Sequence, residues 1–164
     1  MKILGIDRVT ILVKDMDRAK EFLSKVFEME FHEGKETGGK EGPGTKLSEI
    51  GIRGGVTLPN VEIELLSVVD PIKATEAATK IPLLKDVLME MVELDKKGYE
   101  GPFSLWLKVE DGEEAAADAK RKGIRVAGYR EGEHPGIVPP FKEVFLNSED
   151  MVIKGINLMS KHPR

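Results

Sequence analysis

The chain carries the same pattern twice. Val13-Lys14-Asp15 ends an alternating apolar run and opens a helix, and Val109-Glu110-Asp111 repeats that junction 96 positions later. Glu64-Leu65-Leu66-Ser67 closes the first copy, and Asn157-Leu158-Met159-Ser160 closes the second, 93 positions on. A duplicated unit with strands at matching places predicts two modules around one shared cleft, the setting in which small molecules bind.

The two copies have the same internal order. Gly5 to Val13 alternates apolar and polar residues, the period of a half-buried strand. Asp15 or Asp17 can cap a helix whose Ala19, Phe22, Leu23 and Val26 recur at helical spacing. Short strands are predicted at Met29 to Glu33, Leu47 to Ile52 and Val61 to Val68, with a Gly-rich loop at Lys35 to Lys46. In the second copy Phe103 to Val109 reads as a strand. Asp111 and Glu114 form a capping box for a helix through Lys122, and Gly123 ends it. Strands follow at Ile124 to Arg130, Phe141 to Asn147 and Val152 to Met159, with a Gly/Pro-rich loop at Glu131 to Pro140.

The expected fold is therefore α+β: two tandem β-α-β-β-β modules forming a curved mixed sheet around a central cleft. Module one covers about 1–70 and module two about 101–164. The connector, about 71–100, holds a helix over Pro82 to Leu94, with Leu84, Val87, Leu88 and Met91 on one face. That helix reads either as packing on a sheet or as a lid or dimer contact.

Composition narrows the function classes. The 164 residues suit one compact domain, and a net charge of −4 with interleaved signs offers no basic footprint for nucleic acid and no polybasic membrane patch. No apolar run approaches the roughly 20 residues of a membrane span. Met1 to Val13 lacks the charged start and apolar stretch of a signal peptide, so a cytoplasmic location is expected. With no cysteine, disulfides, thiolate metal sites and cysteine nucleophiles are excluded. The lack of glutamine hints at a heat-loving source, a hint that seven methionines weaken.

The run from Ile6 to Ala19 (IDRVTILVKDMDRA), followed by Phe22 and Phe27-Glu28-Met29-Glu30-Phe31, resembles the opening of vicinal oxygen chelate proteins. These include glyoxalase I, methylmalonyl-CoA epimerase, extradiol dioxygenases and bleomycin-resistance proteins. The duplication, the Ile63-Glu64-Leu65 ending and the Val109-Glu110-Asp111 turn agree with it. The family hosts several chemistries and some pure binders, so the resemblance speaks for fold more than for function.

In metal-dependent members four side chains hold the ion. The resemblance places them here at Arg8, Glu64, Ser104 and Asn157, or at Lys154 if a shift falls within Ser148 to Lys154. The family expects histidine or glutamine at the first and third positions and an acid at the fourth, so only Glu64 matches. Arginine stays protonated and has no lone pair to offer. His32, His134 and His162 show no ligand spacing. No metal is therefore expected at this site, neither manganese, nickel, zinc nor iron.

Side chains two apart share a strand face. Arg8 with Thr10, Glu62 with Glu64, Ser104 with Trp106, and Asn157 with Met159 are thus expected to line the cleft, with Arg8 facing Glu64. Two readings of Arg8 follow. Its guanidinium replaces the metal and binds an anionic or aromatic small molecule, or it forms a buried pair with Glu64 that fills an abandoned hole. Glu64 is the candidate catalytic base, although one carboxylate without a partner is thin support for a two-base epimerase. Trp106 reads as core packing or as a ligand platform.

Three functions are compatible with these residues. One is a metal-independent binding protein of the bleomycin-resistance kind. Another is a lyase, isomerase or dioxygenase-like enzyme using Glu64 as base or ligand. The last is a structural or regulatory domain whose cleft is filled by Arg8 and Trp106. Gly38 to Gly44 fails as a phosphate loop because Gly44-Thr45-Lys46 precedes a strand rather than a helix. Lys120-Arg121-Lys122 complements a helix C-terminus without any partner. A homodimer is an arrangement such modules adopt, and the sequence leaves it open.

Overall fold

A computed structural model describes residues 1–34, 46–58, 63–134, 138–150 and 155–161, with side chains at all of these except 58, 133, 134, 138, 139 and 148. Glu62, Lys154, His162, the His134 side chain and most of the Lys35 to Lys46 loop lie outside the described residues.

The element order is β1 (Ile3–Leu12), α1 (Met16–Phe27), β2 (Glu30–Gly34), β3 (Ile52–Leu58), β4 (Ile63–Val68), α2 (Pro71–Lys80), α3 (Lys85–Lys96), β5 (Gly101–Val109), α4 (Gly112–Arg121), β6 (Val126–His134), β7 (Val138–Leu146) and β8 (Ile156–Lys161). The protein is α+β, built of two β-α-β-β-β modules joined by α2 and α3. Strand pairing is mixed: β5 and β8 run parallel, whereas β2/β3, β3/β4, β6/β7 and β7/β8 run antiparallel. Among the described residues no helix is long and apolar enough to cross a membrane.

The chain divides into two compact units, and the boundary falls inside β1, between Val9 and Thr10. The unit that includes Thr10 holds α1, β2, β3, β4, α2 and α3. Its strands run in the order β2-β3-β4, and the Val13 N–H at the end of β1 donates to Leu66 O at 2.9 Å. Met16, Leu23 and Leu65 form one of its buried clusters, with Ile11, Phe31 and Ile63 packed around them. Asp15 caps α1 by accepting from the Arg18 N–H.

Two sequence expectations change here. The stretch Leu47 to Ile52 does not run as one strand: Leu47–Ile50 makes a 3-10 turn, and β3 begins at Ile52. Gly51 stops the turn in the left-handed region at φ +68°, which glycine adopts without a Cβ clash. The exposed face of α1 also differs from the expected one. Met16, Ala19 and Leu23 face the core, while Phe22 and Val26 are 54% and 56% exposed. Helical spacing makes all of these neighbours, but only the Met16, Ala19 and Leu23 side of the arc joins the buried cluster. Phe22 meets Phe27 edge-on instead, with ring centroids 5.6 Å apart.

The connector holds two helices, of which the periodicity showed one. Asp70 caps α2 by accepting from the Ile72 and Lys73 N–H groups, and Pro71 occupies the first turn. Its buried face is made of Ala74, Ala77 and Ala78, small residues that give little hydrophobic signal in a sequence. Leu88, Met91 and Val92 are the buried face of α3.

The second unit takes Ile3–Val9 of β1 together with β5, α4, β6, β7 and β8, and its strands run β5-β8-β7-β6. Helix α4 lays Ala115, Ala116 and Ala119 on Val109, Val144, Leu146 and Leu158. Alanines at these positions let the helix backbone approach the sheet closely. Asp111 caps the helix through the Glu113 and Glu114 N–H groups at 2.7 and 2.9 Å, and Gly123 leaves it at φ +82°. Arg121 and Lys122 pair with Asp118, which accounts for most of the basic cluster at that end.

Candidate functional site

The strand registers of the second unit decide which side chains meet. Arg130 lies opposite Glu143, Glu143 opposite Met159, and Trp106 beside Asn157. Directly paired residues share a sheet face, and Val144, Leu158 and Leu107 take the other face, under α4. The face away from α4 thus brings Arg130, Glu143, Met159, Asn157 and Trp106 together.

Glu143 is the centre of this face and is fully buried. Its Oε1 accepts a short hydrogen bond from Nη2 of Arg8, and its Oε2 accepts one from Nε of Arg130. The Arg8 guanidinium carbon also lies 4.5 Å from the Trp106 ring centroid, and the Trp106 and Phe145 rings stand perpendicular with centroids 5.2 Å apart. Burial pushes the Glu143 carboxyl up, but the charges and hydrogen bonds of Arg130 and Arg8 outweigh it and hold the group below the usual carboxylate range. Glu143 is therefore a carboxylate at neutral pH, clamped between two guanidiniums.

The positions singled out in the sequence can now be placed. Arg8 and Trp106 touch, and both are buried. Asn157 is buried beside Trp106, with its Oδ1 accepting the Leu146 N–H at 3.1 Å. Ser104 is half-buried on β5, two residues before Trp106. In the other unit the buried Thr10 donates its hydroxyl to Oε2 of the half-buried Glu64 at 2.7 Å. Glu62 lies outside the described residues, and His32 is exposed on β2.

Glu143 and Arg130 are not among the positions that strand spacing and the resemblance single out. Glu143 did leave a signal: it has the same parity as Phe141 and Phe145 in a strand, so it is an acid on an apolar face. Arg130 leaves none, because only the β6/β7 register puts it opposite Glu143.

The side chains expected from the resemblance at the metal positions, Arg8, Glu64, Ser104 and Asn157, are not the donors that a divalent ion takes. An open catalytic site needs about three donors drawn from His, Asp and Glu. Arg8 cannot donate a lone pair, Asn157 already accepts from backbone, and Ser104 is a neutral hydroxyl. Among the described residues no group of three His, Asp or Glu side chains converges to hold a metal ion.

The fold has close counterparts among solved structures. A methylmalonyl-CoA epimerase from Mycobacterium tuberculosis superposes with a TM-score of 0.62 at 20% identity, over 98% of this chain and 90% of that one. A methylmalonyl-CoA epimerase in complex with methylmalonyl-CoA and ammonium gives 0.64 at 19%, over 98% and 96%. A Streptomyces coelicolor methylmalonyl-CoA epimerase variant in complex with 2-nitronate-propionyl-CoA gives 0.63 at 18%, over 99% and 100%. At these identities the likeness is one of fold. No curated protein matches the chain at a significant level. The sequence profile of the glyoxalase/bleomycin resistance protein/dioxygenase superfamily matches residues 5–131, and the chain, with its two β-α-β-β-β modules, belongs to that superfamily.

Proposed function

We propose that the protein binds a small anionic molecule without a divalent metal, and that Arg8 supplies the positive charge that an ion supplies in metal-dependent relatives. One observation carries this reading. The Arg8 guanidinium is buried, bonded to a buried carboxylate and placed over the ring of the chain's single tryptophan. Such a group is permanently charged and its fork of donors matches a carboxylate or an enolate. The ligands named with the structural neighbours, methylmalonyl-CoA and 2-nitronate-propionyl-CoA, are anionic at their acyl ends and suggest the first compounds to try.

The test has two arms. Protein purified without chelator is expected to hold no stoichiometric metal and to show no stabilising thermal shift with manganese, nickel, zinc or ferrous iron. Methylmalonyl-CoA is expected to bind the wild type and to lose about tenfold or more in affinity on Arg8→Met, the worth of one charge-assisted hydrogen bond. A stoichiometric metal overturns the first half of the reading, and unchanged affinity in Arg8→Met overturns the second.

The Thr10–Glu64 hydrogen bond favours a second reading, an isomerase-type enzyme in which Glu64 moves a proton α to a carbonyl. The Thr10 hydroxyl fixes the orientation of that carboxylate. On this reading wild-type protein exchanges the α-hydrogen of methylmalonyl-CoA in deuterated water, and Glu64→Gln stops the exchange while binding persists. No exchange by the wild type rejects it.

A further inference from the structure

Arg130 stands apart from Arg8 in how its guanidinium is used. Nε donates to the buried Oε2 of Glu143, which fixes one edge of the planar group. Its two terminal nitrogens make no hydrogen bond among the described residues. The side chain is 21% exposed, against 7% for Arg8 and 0% for Glu143. Arg130 lies on β6, the outermost strand of its unit, so solvent reaches the cluster at this residue.

A guanidinium held by Nε presents Nη1 and Nη2 as a parallel pair of donors, the spacing that two oxygens of a carboxylate accept. The buried Glu143 anchor means that little side-chain freedom is left to lose when a ligand docks. We infer that the outer edge of Arg130 is the ligand-docking group of this site, and that it selects a planar carboxylate over a tetrahedral oxyanion. This rests on the anion-binding reading above but assigns a different residue and a narrower ligand class. Arg8 then supplies charge inside the cluster, while Arg130 makes the bidentate contact at its mouth.

Trp106, the single tryptophan, reports on the cluster through its contact with Arg8. The experiment titrates its fluorescence with propionate and, separately, with inorganic phosphate, in wild type, Arg130→Lys and Arg130→Gln. Melting temperatures are measured alongside. Lysine keeps a cation beside Glu143 but loses the planar fork, whereas glutamine also removes the charge, so its affinity is read at a temperature well below its own melting point.

The wild type is expected to saturate with propionate more tightly than with phosphate. Arg130→Lys is expected to weaken propionate by about tenfold or more and to level the two anions, at an unchanged melting temperature. Propionate affinity retained in both variants overturns this inference and leaves anion binding through Arg8 standing. Tighter phosphate binding by the wild type overturns the planar-carboxylate selectivity. No saturable response to either anion in the wild type overturns both the inference and the reading beneath it.

Discussion

Glu143→Gln is expected to lower the unfolding free energy by about 3–5 kcal/mol at neutral pH, the cost of removing one partner from a buried ion cluster. The substitution keeps shape and volume. What it removes is the fully buried charge that neutralises the Arg8 guanidinium and the inner edge of Arg130. Urea unfolding at constant m-value reads the loss directly. A loss below about 1 kcal/mol, the scale of an exposed pair, would mean that the cluster is solvated in solution.

Acid behaviour follows from the same group. The folded-state pKa of Glu143 lies below its unfolded value of 4.5, so the unfolded chain binds the proton more tightly. Its contribution to stability is complete above that value and is lost as pH falls through the folded-state pKa. Glu33 behaves alike in the other unit. Hydrogen bonds from Arg53 lower it most, burial opposes them, and Lys20 adds to the lowering, to about 2. The wild type is therefore expected to lose stability progressively below about pH 4.5. Glu143→Gln should show a flatter acid limb that Glu33 keeps from vanishing. Equal acid slopes in the two proteins would remove Glu143 from this account.

Gly51→Ala is expected to cost about 3 kcal/mol or more. A Cβ at this position would lie 2.1 Å from the carbonyl oxygen of Asp70 and 3.0 Å from the Ala74 nitrogen, both backbone atoms. They cannot step aside, because Gly51 O itself accepts the N–H groups of Val69 and Asp70 at 2.9 and 3.1 Å. The left-handed φ of +68° adds its own penalty. Gly98→Ala is the control: its φ is +74°, but its nearest neighbour is the flexible tip of Lys14 at 3.6 Å. That variant should lose only about 1 kcal/mol. Equal losses in the two variants would show that the Gly51 contact relaxes.

Legibility followed the range of the forces involved. Helix α4 was readable nearly to the residue, because Asp111 caps it and Gly123 ends it within a few positions of chain. Helix α2 was not, since its buried face is three alanines whose burial shows only when another helix covers them. Leu47 to Ile52 reads as a strand by apolar content, and it turns because Gly51 meets Asp70, 19 positions away. Phe22 and Val26 have the right spacing for burial, yet the cluster formed by Met16, Leu23 and Leu65 leaves them exposed.

For the site, the sequence by itself determined that Trp106 and Asn157 share strand faces with Ser104 and Met159, and that the fold is a duplicated β-α-β-β-β unit. These are matters of period and local spacing. The carboxylate bound to Arg8 within its unit is Glu143, 135 positions away, and Arg130 joins it from a third strand. Only the tertiary structure decided this, because charge pairing inside a sheet depends on register across strands, and register is set by the packing of the whole face rather than by any residue's neighbours in the chain.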